Sequence, residues 1–228
     1  MNAKVLKIIA LITMTIDHIG LYLVESDTFI YTLLRVIGRI AFPLFAFLVA
    51  EGFHHSRDRN KYFMRLLGYC LIIEIGVVGI YLVTGENYVF KFNVIWPLVL
   101  GLLSLILLYR NEWYFQILVI GLLIGSELLK MPYGAYGIGT IIIFGGYRKL
   151  WAQALMFFVI NLIFLDWPLW GLLGRTELAK YGALQWFAVI ALVPIYFYNG
   201  KGGKSNKWFF YLYYPAHLGI IYLLGLLV

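Results

Sequence analysis

The sequence predicts an all-α polytopic membrane protein, a helical bundle of about nine transmembrane helices with one or two kinked or re-entrant, in a single domain over residues 1–228. Three observations carry this expectation. Hydrophobic residues make up 63% of the chain and charged residues 13%, with a mean hydropathy of +0.87, which is more apolar sequence than a soluble core can enclose. Apolar runs of near-spanning length recur from end to end with short loops between them. The cations segregate: with a cytoplasmic N-terminus, twelve of the 18 Lys and Arg fall inside and six outside, which puts the C-terminus outside.

The first run, 4–24, lacks a small-residue cleavage site and reads as a retained helix, not a signal peptide. The segment 28–37, TFIYTLLRVI, reads as an interfacial lead-in to a helix over 38–53, followed by spans at 61–83, 93–109, 114–129, 136–148, 150–166, 182–198 and 208–228. The runs 38–53 and 136–148 fall short of the roughly 20 residues a straight span needs, so these are the ones expected to tilt, kink or re-enter. No soluble domain is expected on either side. The stretch NGKGGKSNK, 199–207, reads as a flexible cytoplasmic loop without the spacing of a phosphate-cradling P-loop. Cys70 is the single cysteine, which excludes an intrachain disulfide and a thiolate metal cluster. Basic residues in a membrane protein collect in cytoplasmic loops, so the net charge of +7 does not point to nucleic acid.

Ionisable groups at membrane depth cost a few kcal/mol each on insertion scales, and they mark the candidate site. His18 lies ~16–21 Å along its helix from Lys7 or Lys4, and His217 ~13–14 Å from Trp208, so helices at opposite ends of the chain bring two histidines to similar depth. A histidine suits proton transfer near neutrality; the competing account is polar glue between helices. Asp17 is the neighbour of His18, but adjacent helix positions diverge by about 100°, so it pairs either with that histidine or with an arginine such as Arg39. Arg35 and Arg39, four apart, share a face on which an anion could be held, and Pro43 follows as a kink. Glu74 sits mid-span. In EGFHHSRDRNKYFMRL, 51–66, the cluster of Arg57, Arg59, Lys61 and Arg65, with Glu51 and His54 beside it, suits a phosphate-bearing ligand; positive-inside bias produces the same charges. His54 and His55 have no carboxylate or cysteine at ligand spacing, and no metal is assigned. Asn93, Glu127, Asp166 and Gln185 fall near helix ends, where solvation accounts for them.

Several stretches, in order and nearly end to end, resemble the TraX family, membrane proteins named for a conjugative pilin acetyltransferase. They are KIIALITMTIDHIG (7–20), RVIGRIAFPLFAFLVAEGFHHSRD (35–58) with KYFMRL (61–66), NVIWPLVLGLL (93–103), YGAYGIG (133–139), LQWFAVIALVPI (184–195) and KWFFYLYYPAHLGIIYL (207–223). The first, second and last are specific. The family's IDHIG maps to Ile16–Gly20, its GRIAFP to Gly38–Pro43, its EGF to Glu51–Phe53 and its YPAHL to Tyr214–Leu218. At WPL, 96–98, the chain departs from the expected hydroxyl-bearing pattern.

The resemblance implies an acetyl-CoA-dependent transmembrane acyltransferase of the bacterial cell membrane, moving an acetyl group from cytosolic acyl-CoA to a hydroxyl or amine of a glycan, lipid, cell-wall polymer or protein. His18 is then the general base or transient acyl carrier, with Asp17, Arg39 and His217 as its catalytic company. Arg57, Arg59, Lys61 and Arg65, with Glu51 and His54, are the expected acyl-CoA contacts. The alternatives are a proton-coupled transporter using the same buried polar groups, and a non-catalytic envelope assembly protein. The transporter fits less well because no inverted repeat is visible and an odd span number does not halve.

Overall fold

The computed structural model describes residues 1–84, 92–165, 184–203 and 207–225. These residues are helical throughout, with no strand among them. In chain order the helices are α1 (Ala3–Leu23), α2 (Phe29–Gly38), α3 (Ala41–His55), α4 (Arg59–Thr84), α5 (Ile95–Tyr109), α6 (Trp113–Leu128), α7 (Gly134–Gly146), α8 (Leu150–Leu165), a 3-10 helix (Trp186–Ala191), α9 (Leu192–Tyr196) and α10 (Lys207–Gly225). Among the described residues, three helical stretches are long and apolar enough to cross a membrane: Ala3–Leu23, Phe29–His55 and Arg59–Gly79.

The second of these corrects the expectation of an interfacial lead-in. Residues 29–38 form the first part of a 27-residue apolar helix, because only a brief irregularity at Arg39 and Ile40 separates α2 from α3. The expected span at 182–198 is, in its described part, a 3-10 helix running into α9. Asp166, Lys91, Arg175, Lys180 and Lys204 lie outside the described residues.

Helix starts follow local chemistry. The Asn2 side chain accepts from Val5 N, Thr28 Oγ1 from Tyr31 N, and Asp58 Oδ1 from Lys61 N, each satisfying an amide that the first turn leaves unpaired. Asn93 Oδ1 accepts from Ile95 N ahead of α5. At α7 the chain turns through Tyr133 and Gly134, both at positive φ, and Glu127 Oε1 accepts from Ala135 N at 2.8 Å. Glu127 is therefore a helix cap for α7 as well as a residue at the end of α6. Hydroxyls within the helices turn back on their own carbonyls, as Thr13, Thr15, Ser104 and Thr140 do.

The chain divides into two compact units, residues 1–48 with 149–228, and residues 49–148. In the first, the core is built from Leu6, Ala10, Leu44, Phe157, Ala188 and Ala191, all fully buried or nearly so. In the second, α5 and α7 approach closely: a Cβ on Gly101 would meet Ile141 at 2.3 Å and one on Gly145 would meet Leu105 at 2.4 Å. Small residues that let helix backbones approach are the usual packing device where lipid removes the hydrophobic drive between helices. Large aliphatic side chains face outward in both units, among them Ile12, Ile72, Ile75, Ile117 and Leu155, each more than half exposed. Water would oppose such a surface and lipid welcomes it.

Candidate functional site

The first unit gathers its polar groups where α1, α2 and α10 meet. His18 on α1 and His217 on α10 are hydrogen-bonded, Nδ1 to Nε2, at 2.8 Å. Their ring centroids are 5.0 Å apart with planes 29° from parallel, which fits an edge-to-edge N–H···N bond and not face-to-face stacking.

The rest of the bonding fixes the direction of that bond. His217 Nδ1 lies 3.0 Å from the carbonyl oxygen of Tyr213, one turn earlier on α10. A carbonyl only accepts, so Nδ1 of His217 carries the proton, and in the neutral ring Nε2 holds the lone pair. His18 Nδ1–H then donates to it, which leaves the lone pair of His18 on Nε2. No hydrogen bond among the described residues occupies that atom, and His18 is only partly buried. Two rings and one backbone carbonyl thus set up a base.

Pro215 is part of the same turn. It deletes the backbone bond to the Tyr211 carbonyl and loosens the helix where the Tyr213 carbonyl takes the His217 ring. The Tyr213 ring lies nearly parallel to His217, with centroids 5.4 Å apart and planes 18° from parallel. Its hydroxyl meets Thr15 Oγ1 at 2.8 Å, and because Thr15 donates its own proton to the Leu11 carbonyl, the tyrosine is the donor. This second bond ties α10 to α1 one turn from the histidine pair.

Asp17 turns away from His18. Its Oδ2 accepts from Arg35 Nη1 at 2.7 Å and its Oδ1 from Arg39 Nη2 at 2.6 Å, with all three side chains at most 14% exposed. The open question of the sequence reading is settled for the arginines, and Arg35 joins Arg39 in the pair. Arg39 also donates Nε to the Arg35 carbonyl and Nη1 to Gln185 Oε1 at 3.4 Å. Gln185 is 6% exposed, which corrects the view of it as a solvated helix end: it is a buried acceptor for a guanidinium. Two guanidinium charges against one carboxylate leave the group with one net positive charge, and Arg35 Nε is buried without an acceptor. Gly38 makes room for this, since a Cβ there would meet Asp17 Oδ1 at 2.0 Å.

The second unit holds the basic residues of the stretch 51–66. Arg57, Lys61 and Arg65 line an open groove of about 530 Å³ with Ser56, Asp58 and Met64. Asp58 caps α4 there, and the Lys61 backbone N–H holds its carboxyl below the usual carboxylate range, with the Lys61 charge adding to the effect. Arg59 points elsewhere: its guanidinium lies 3.8 Å from the Tyr109 ring centroid and 4.4 Å from that of Phe53. Glu51 accepts from Arg148 Nη1 at 2.7 Å, with His55 Nδ1 at 3.5 Å, and His54 Nε2 donates to the Gly145 carbonyl at 2.7 Å. Glu51 and His54 thus have bonds within the unit, and neither is among the groove-lining residues.

The family model described as TraX protein matches residues 2–225. The chain belongs to the TraX family. It is 28% identical over 241 residues to a probable fimbrial assembly protein, FimC of serogroup H1, from Dichelobacter nodosus, covering 96% of this chain and 94% of that one. It is 37% identical over 101 residues to an uncharacterized protein of Rickettsia prowazekii (strain Madrid E), covering 39% of this chain and 36% of that one. No solved structure matches. In this TraX protein the stretches around His18 and His217 are in direct contact with one another.

The sequence reading placed His18, His217, Asp17 and Arg39 in one centre, and the structure gathers them in one unit. It missed Tyr213 and Thr15, and took Gln185 for a solvated helix end. The i, i+4 spacing of Tyr213 and His217 was a signal for the first; nothing in the sequence singles out Thr15.

Proposed function

We propose that this TraX protein is a membrane-embedded acyltransferase that moves an acetyl group from acyl-CoA to an acceptor hydroxyl or amine, within a polytopic bundle of the cell membrane. The observation that carries the reading is the His18–His217 pair, which leaves a lone pair on His18 Nε2. In the first step the acceptor oxygen or nitrogen attacks the thioester carbonyl carbon as His18 Nε2 takes the acceptor's proton. The imidazolium charge spreads toward His217 through the Nδ1–Nε2 bond. The oxyanion is met by the net positive charge of Asp17, Arg35 and Arg39. Collapse breaks the C–S bond, and the departing thiolate takes the proton from His18 Nε2. His217 has its Nε2 committed to His18, so its part here is to position the base and not to hold the oxyanion.

The groove of Arg57, Lys61 and Arg65 has the charge to bind the phosphates of acyl-CoA. Its own test is Arg65→Ala, which is expected to raise KM for acetyl-CoA about tenfold, the loss of one charge-assisted contact of roughly 1.4 kcal/mol, with kcat unchanged.

The name of the Dichelobacter relative favours a second reading, a non-catalytic role in assembling surface fibres. Mass spectrometry of envelope polymers, lipids and surface proteins from cells with and without the gene separates the two. A transferase predicts an acetyl mark that vanishes with the gene and with His18→Ala. An assembly role predicts that a His18→Ala copy restores the wild-type phenotype to the deleted strain in full.

A further inference from the structure

Glu74 is a second intramembrane polar centre, in the second unit, and the transfer reaction makes no use of it. It sits fifteen residues beyond Arg59, about 22 Å along α4, and is 9% exposed. Its Oε2 accepts three donors: Asn93 Nδ2 at 2.6 Å, Trp96 Nε1 at 3.1 Å and Asn93 N at 3.4 Å. Its Oε1 is buried and has no hydrogen-bond partner. No lysine, arginine or histidine among the described residues forms an ion pair with it.

The donors cannot redistribute to relieve the empty oxygen. Asn93 is held in place because its Oδ1 accepts from Ile95 N at the start of α5 and its Nδ2 also reaches the Cys70 carbonyl. Trp96 is fixed one turn further on. Among the described residues this carboxylate has one saturated oxygen, one oxygen without a donor and no positive charge against it, and both shortfalls are expensive in hydrocarbon.

We propose that Glu74 Oε1 is the binding point for a primary ammonium group, with Asn93 and Trp96 orienting the carboxylate to receive it. A metal ion fits poorly, because hard cations take several oxygens and the neighbouring ones, Asn93 Oδ1 and the Cys70 carbonyl, already accept hydrogen bonds. An ammonium needs only the vacant acceptor and the charge. Leu71, Ile72 and Ile75, on the turns around Glu74, are 42, 67 and 71% exposed, so this part of α4 has lipid-facing surface, and a lipid headgroup amine is one source of the ammonium. A small water-soluble amine offers the same chemistry. The inference stands apart from the acyl-transfer reading.

The test is the melting temperature of the purified full-length protein under four conditions: in bilayer discs of phosphatidylcholine alone or with phosphatidylethanolamine, and in detergent with choline or ethanolamine. The expected result is a rise of about 2–5 °C with phosphatidylethanolamine or ethanolamine, and none with the choline compounds, which lack an N–H. A rise with the lipid alone assigns the headgroup; a rise with ethanolamine alone assigns a soluble amine; either supports the site. Glu74→Gln should abolish the rise. Trp96→Phe, which removes one donor from Oε2 and leaves Oε1 vacant, should keep it, so the proposal stays testable if Glu74→Gln fails to fold. No rise with phosphatidylethanolamine over phosphatidylcholine together with none with ethanolamine over choline, or an undiminished rise in Glu74→Gln, overturns it.

Discussion

Asp17 and Glu74 are both carboxylates in long apolar helices, the first 14% exposed at its side chain and the second buried, and they are satisfied in opposite ways. Each oxygen of Asp17 takes a separate arginine, whereas one oxygen of Glu74 takes three neutral donors and the other takes none. The difference separates two uses of buried charge. A carboxylate clamped between two guanidinium groups holds helices together and fixes its surroundings, here the turn that carries His18. One that is oriented but left without a counter-charge is poised to receive something.

The comparison is broken or sharpened first by removing each carboxylate. Asp17→Ala strands two buried arginines and is expected to cost about 3–5 kcal/mol, seen as a collapse of folded yield or melting temperature. Glu74→Gln strands no cation and is expected to cost no more than about 1 kcal/mol in the absence of amine. Equal losses would end the distinction. Gly38→Ala tests the clamp from its other side: the added methyl displaces the Asp17 carboxylate, and overpacking of that kind costs about 1–3 kcal/mol. Tyr213→Phe removes one hydrogen bond to Thr15 while keeping the ring on His217, so thermal unfolding should report a loss of about 0.5–1.5 kcal/mol.

The smallest effect belongs to Asp58, which sits at the exposed start of α4. Its folded-state carboxyl is held below the ordinary value, so its contribution is present above the unfolded pKa and disappears as pH falls through the lowered one. Amide exchange in the first turn of α4 should therefore quicken in acid, and Asp58→Ala should show the faster exchange already at neutral pH.

Much of this was legible in the sequence. Apolar runs of spanning length marked the helices, because each had to hide its backbone within itself. His18, His217, Asp17 and Arg39 stood out because charge is scarce in such runs. The partner of Asp17 was not legible, since it depends on how α1 and α2 pack, and Gly38 reads as an ordinary glycine until Asp17 is seen against it. Gln185 and Asn93 looked like solvated helix ends because their depth follows from neighbouring helices and not from their own segments. The continuity of Phe29–His55 was hidden by Arg35 and Arg39, which suggest an interface until both are found buried against one aspartate.

The most direct test of the central claim is transfer of labelled acetyl from acetyl-CoA into envelope material by membranes carrying the wild-type protein or His18→Ala at matched folded amounts. With His18 Nε2 as the base, the variant should lose about 10²–10⁴-fold in rate with an unchanged KM for acetyl-CoA, and His217→Ala should lose less, again in kcat alone. Transfer by His18→Ala at the wild-type rate would contradict the account.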